Sequence, residues 1–138
     1  MDRKLPNLFL YSLALPVVWF ALAFLTLNLA PNVEVGIAGS VVTVYLATIF
    51  ICRHFSKSFK RYFEKGEKIR LAIYMVLWMG LIRCLSLYGL DEGLSSKELM
   101  LAIGVILGID FLIIASSVFS VSHKFNKFFL RRYNAGNA

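Results

Sequence analysis

Four uninterrupted apolar runs set the rhythm of this chain. Residues 5–29 and 35–52 contain no charged side chain, 71–90 contains only Arg83, and 99–121 contains only Asp110. As helices rising 1.5 Å per residue, these runs reach about 27–37 Å, against a bilayer hydrocarbon core of about 30 Å. The pattern predicts an all-α integral membrane protein with four transmembrane helices forming one domain over residues 1–138. Short turns, "APNVE" and "DEGLSSKE", fold the four spans into two antiparallel hairpins. Ser95 or Ser96 is positioned to cap the fourth span ahead of Glu98. Pro16 lies inside the first span, where its missing N–H predicts a kink.

Between the second and third spans the period changes. Phe55, Phe59, Tyr62 and Phe63 recur at one-face helical spacing among lysines and arginines. A basic amphipathic extension over residues 53–65 is expected, lying on the membrane surface and ending near Gly66. The tail repeats the design over 123–133, with Phe125 and Phe129 as its aromatic anchors. Membrane lipid is the partner this pattern implies.

Composition agrees with the span count: 59% of the 138 residues are hydrophobic and only 17% are charged. No stretch remains from which to build a soluble domain. The net charge of +7 raises the question of nucleic acid, but the cations follow topology instead. Arg3 and Lys4 precede the first span, seven basic residues lie between Arg53 and Arg70, and Lys124, Lys127, Arg131 and Arg132 occupy the tail. The other ends carry Glu34, Asp91, Glu92 and Glu98 against Lys97 alone. The positive-inside rule therefore puts both termini in the cytoplasm. The first run far exceeds the ~7–15 apolar residues of a signal peptide, and Pro31 blocks the best cleavage site, so an uncleaved helix is expected.

Chemistry is sparse along this sequence. It holds no phosphate loop, nucleophile elbow or metal-ligand spacing, so no enzyme activity, metal or cofactor is expected. Cys52 and Cys84 fall at different depths and are not expected to pair. Small residues form rows at Gly39, Thr43 and Ala47, and at Gly104, Gly108 and Ala115. Such rows let helices approach closely. Packing within the chain is the favoured reading, with a second copy or a membrane partner as alternatives.

Arg83 and Asp110 stand out most. Each alone costs about 2.5–3.5 kcal/mol near the centre of an inserted helix. Counted from the turn between their helices, they differ in depth by about 6 Å, a gap that an arginine side chain spans. An intramembrane ion pair is expected, with a polar cavity, an ion path or a partner contact as other readings.

The size, the four spans, the N-in/C-in charge pattern and the basic middle loop resemble small inner-membrane proteins of Gram-negative bacteria. That group includes immunity proteins, which protect a cell from membrane-targeting or pore-forming toxins. The resemblance implies a non-enzymatic protein that binds a toxin or other protein partner within the bilayer. A small oligomeric transporter or channel is the alternative, and an accessory subunit of a membrane complex is a third. Four-helix multidrug transporters carry a glutamate in the first span, which this chain lacks.

Overall fold

The computed structural model describes residues 6–33, 36–88, 93 and 95–136, and every regular element among them is helical. Arg3, Lys4 and Leu5, Glu34 and Val35, and Gly89 to Glu92 lie outside the described residues, as do Leu94 and the last two positions. Six α-helices follow in order: α1 (Leu8–Ser12), α2 (Ala14–Leu29), α3 (Gly36–Phe59), α4 (Lys65–Tyr88), α5 (Ser96–Ser116) and α6 (Ser122–Ala135). A π-helical turn, Ser117–Val121, joins α5 to α6. Four rods are long and apolar enough to cross a bilayer: Leu8–Leu29, Gly36–Phe59, Lys65–Leu87 and Ser96–Ala135.

Pro16 breaks the first rod where its chemistry dictates. Lacking an N–H, it leaves the Ser12 carbonyl without its usual i+4 partner, and the helix is interrupted at Leu13. Leu13 N–H instead donates to Leu10 O at 3.3 Å, a tighter turn. Trp78 Nε1 donates to Ser12 Oγ at 3.1 Å, so α4 braces the bend. At the start of α5, Ser95 is the N-cap and forms a capping box with Glu98.

The segment after α3 departs from the sequence expectation. No continuous amphipathic helix runs to residue 65. Helix α3 ends at Phe59, Lys60 adopts a left-handed backbone with φ of 51°, and α4 begins at Lys65, so Gly66 sits inside a helix. The reversal brings Phe63 back onto Phe55, with ring centroids 3.8 Å apart. Both rings are buried in the protein rather than laid on a membrane surface. Phe59 stacks on the same ring at 4.9 Å, and only Tyr62 of the four aromatics is exposed. Arg61 fixes the turn: its two Nη atoms donate to Glu67 at 2.9 and 2.6 Å, and its guanidinium lies 5.3 Å from the Phe55 ring centroid. The hydrogen bond from Arg61 to Glu67 holds this arginine above its already high ordinary pKa.

The tail also differs. The fourth rod is 40 residues long, about 60 Å at helical rise, twice the hydrocarbon thickness. Helix α6 therefore continues past the length that crosses a bilayer and packs on α3, with Ser122, Asn126 and Leu130 buried. Phe125 and Phe129 are half-buried against the core, and Phe128 is the exposed ring.

Burial is uneven along the bundle axis. Near the basic end, Leu15, Ile51, Phe55, Met75, Met79, Ile114 and Val118 form a closed core. That core stops at the level of Ser40, Ile82 and Asp110. Among described residues, none from Val17 to Gly39 and none from Arg83 to Ile109 is buried. The helices pack tightly at one end and splay at the other.

Candidate functional site

Arg83 and Asp110 meet where the closed core ends and the splayed half begins. Asp110 belongs to α5, the neighbour of α4 across the second hairpin. Arg83 Nε donates to Asp110 Oδ2 at 2.9 Å, and Nη2 reaches Oδ1 at 3.3 Å. The same Nη2 donates to Ser40 Oγ on α3. Three helices thus contribute to one polar cluster. The carboxylate is almost sealed, with its side chain 3% exposed, whereas the Arg83 side chain keeps 24% exposure and lines the cleft beside it. That difference decides the site's geometry: Asp110 is the buried anchor and Arg83 faces open space.

The open space is a cleft of about 550 Å³ between α2 and α3, with Arg83 on its floor. Trp19, Leu22, Leu27 and Val42 form apolar walls, and Pro31 and Val33 stand at its lip. Two hydroxyls in the lining are turned back on their own helices. Thr26 Oγ1 donates to Leu22 O at 2.6 Å, and Thr43 Oγ1 to Gly39 O at 2.7 Å. Chemically, the floor can hold and orient a hydrogen-bond acceptor. It is not arranged for proton transfer, because arginine does not release its proton.

The small-residue rows have separate fates. Gly39 lines the cleft, and Thr43 and Ala47 are buried along α3. Gly104 and Gly108 do not pack within the chain: both are exposed, and a Cβ on either would meet nothing within 4 Å. Helix α5 presents Leu107 to α4 instead, 3.8 Å from where a Gly80 Cβ would stand, which turns the glycine row outward. Ala115 is half-buried beside Ala72 and Ile114 in a shallow groove between α4 and α5.

Below the ion pair lies a polar seam between α3 and the fourth rod. Thr48 Oγ1 and Ser117 Oγ are 2.7 Å apart, Cys52 Sγ points to Ser122 O at 3.7 Å, and Ser56 Oγ donates to Asn126 Oδ1 at 2.6 Å. The α3 members recur every four residues, whereas their partners step by five and then four. A five-residue step along a regular α-helix would swing Ser122 about 140° away from Ser117. The π-turn, bonding i to i+5, absorbs the extra residue and keeps both on one face. The histidines sit at the basic end, His54 with Tyr11 Oη at 3.2 Å and His123 stacked on Tyr62. Among the described residues no three His, Cys, Asp or Glu side chains gather as a metal site. No family model, curated protein or solved structure matches this chain.

Proposed function

We propose that this chain is a non-enzymatic, multi-pass protein of a bacterial inner membrane that binds a partner within the bilayer. The cleft over Arg83 carries the reading. A guanidinium kept part-open at the base of an apolar space is expensive to retain in a membrane, and such groups mark sites of recognition or passage. Here Asp110 and Ser40 hold it in place from two other helices. The remaining open face is what a partner reads.

Both termini are in the cytoplasm, in line with the basic residues gathered at one end of the bundle. The cleft then opens towards the periplasmic leaflet, where an agent arriving from outside first meets the protein. This setting suits an immunity protein guarding against a membrane-targeting or pore-forming toxin. Reporter fusions at Gly93 should read periplasm and fusions at the C-terminus cytoplasm; a cytoplasmic signal from Gly93 would remove the orientation. For the function, cells lacking the chain are challenged with toxins delivered by sibling cells. Loss of resistance to one toxin, restored by the wild type, is the expected result. Equal resistance to every toxin tested would sink the proposal.

A further inference from the structure

The size and donor pattern of the cleft narrow what enters it. The cleft offers about 550 Å³, well inside the range of small-molecule sites. A single chain or small ring system fits there. A cationic occupant meets the donor side of the pair, Arg83, and not the sealed Asp110 carboxylate.

An anion fares little better. Asp110 already neutralises the guanidinium, so a second carboxylate would lose its hydration without meeting an uncompensated positive charge. It would also lie near the Asp110 carboxylate. An uncharged acceptor avoids both penalties and still gains a charge-assisted hydrogen bond. Donors are available for it. Thr26 and Thr43 spend their protons on their own helices, and Ser40 Oγ accepts from Arg83, leaving its own proton for another acceptor. Among described residues, Arg83 Nη1 makes no hydrogen bond, because the contacts to Asp110 and Ser40 use Nε and Nη2.

We propose that the cleft binds an uncharged lipophile bearing a carbonyl, such as an ester or a quinone, with its oxygen on Arg83 and Ser40 and its apolar body against Trp19, Leu22 and Val42. This rests on the cleft being a binding site and does not depend on a toxin being the biological partner.

The test uses the full chain in nanodiscs of an ether-linked phosphatidylcholine, whose chains carry no ester carbonyl to compete for the cleft. Trp78→Phe leaves Trp19 as the only tryptophan of the two. A benzoquinone with a decyl tail is the probe, since quinones quench indole emission on contact. Quenching of Trp19 should saturate with quinone mole fraction. Methyl decanoate should displace the probe, decane should not, and ionised decanoate should be weaker than the ester by about ten-fold or more. Ala23→Phe fills the cleft from α2 and Val42→Phe from α3, and either, if folded by circular dichroism, should abolish saturation. Quenching that rises linearly and is unchanged in the filled variants would mean partition into lipid alone and would overturn the site. Displacement by decanoate at least as strong as by the ester would overturn the uncharged class. Toxin protection that survives in the filled variants would detach the partner reading from the cleft without altering the quenching result.

Discussion

At the scale of single residues, one charge pair governs the middle of the bundle. Arg83 and Asp110 were legible because charge is so rare in the four runs, and turn counting put them within reach of each other. Ser40, the third member, was not legible: a serine in a span announces no partner. The three contacts make the single variants unequal. Arg83→Ala leaves a carboxylate that can take up a proton, whereas Asp110→Ala leaves a guanidinium that cannot lose one. Breaking a buried pair from one side costs about 3–5 kcal/mol. Asp110→Ala should therefore lower the detergent melting temperature more than Arg83→Ala, and Arg83→Ala/Asp110→Ala should recover most of the loss. A double variant no more stable than Asp110→Ala would mean that each charge is held by something other than its partner. Lys60 gives a second residue-scale expectation. Its φ of 51° suits glycine, so Lys60→Gly should raise stability by about 0.5–1 kcal/mol in the same melting assay. A drop would show that the lysine side chain contributes more than its backbone strain costs.

At the scale of elements, helix existence was readable and helix endings were less so. The Ser95 capping box and the bend ahead of Pro16 follow from local chemistry, and both were anticipated. The 53–65 segment was misjudged because its aromatics do share a helical period. Periodicity cannot register a chain reversal at Lys60, which stacks Phe63 on Phe55 from outside the helix. The seam shows the same limit. Thr48, Cys52 and Ser56 recur every four residues and mark a polar stripe on α3, but Ser117, Ser122 and Asn126 look irregular until the π-turn is known. That turn yields a sharp expectation. Inserting an alanine after exposed Ser120 adds a second extra residue, more than one π-turn absorbs, and should rotate α6 by about 100° relative to α5. Ser122 and Asn126 would then leave the seam. In a Cys84→Ser background, buried Cys52 should resist maleimide in the parent and react in the insertion variant. Unchanged protection of Cys52 would mean that α3 and α6 are held together without this register.

At the scale of the whole molecule, the division into a closed half and a splayed half was hidden from the sequence. In water, a helix face that packs inward is more apolar than one that faces out. In a bilayer both surroundings are apolar, and lipid tails resemble leucine, so hydropathy rates a core-facing and a lipid-facing leucine alike. The four runs announce their length and conceal which turns of each touch protein. Only Arg83 and Asp110 betray the boundary, because the cluster they form with Ser40 closes the packed core. Stability should divide along the same line. Met79 is fully buried beneath the cluster, and Leu101 is 70% exposed above it. Met79→Ala opens a hole in a packed core and should cost about 2–5 kcal/mol, whereas Leu101→Ala should stay within about 0.5 kcal/mol. An alanine scan of α4 and α5, read as melting temperature in detergent, tests the whole pattern. Sensitive positions should cluster from Leu71 to Ile82 and from Asp110 to Val118, with tolerance across 96–109. Equal sensitivity above and below the cluster would mean that the outer half is closed by contacts of its own, and the cleft over Arg83 would lose its opening.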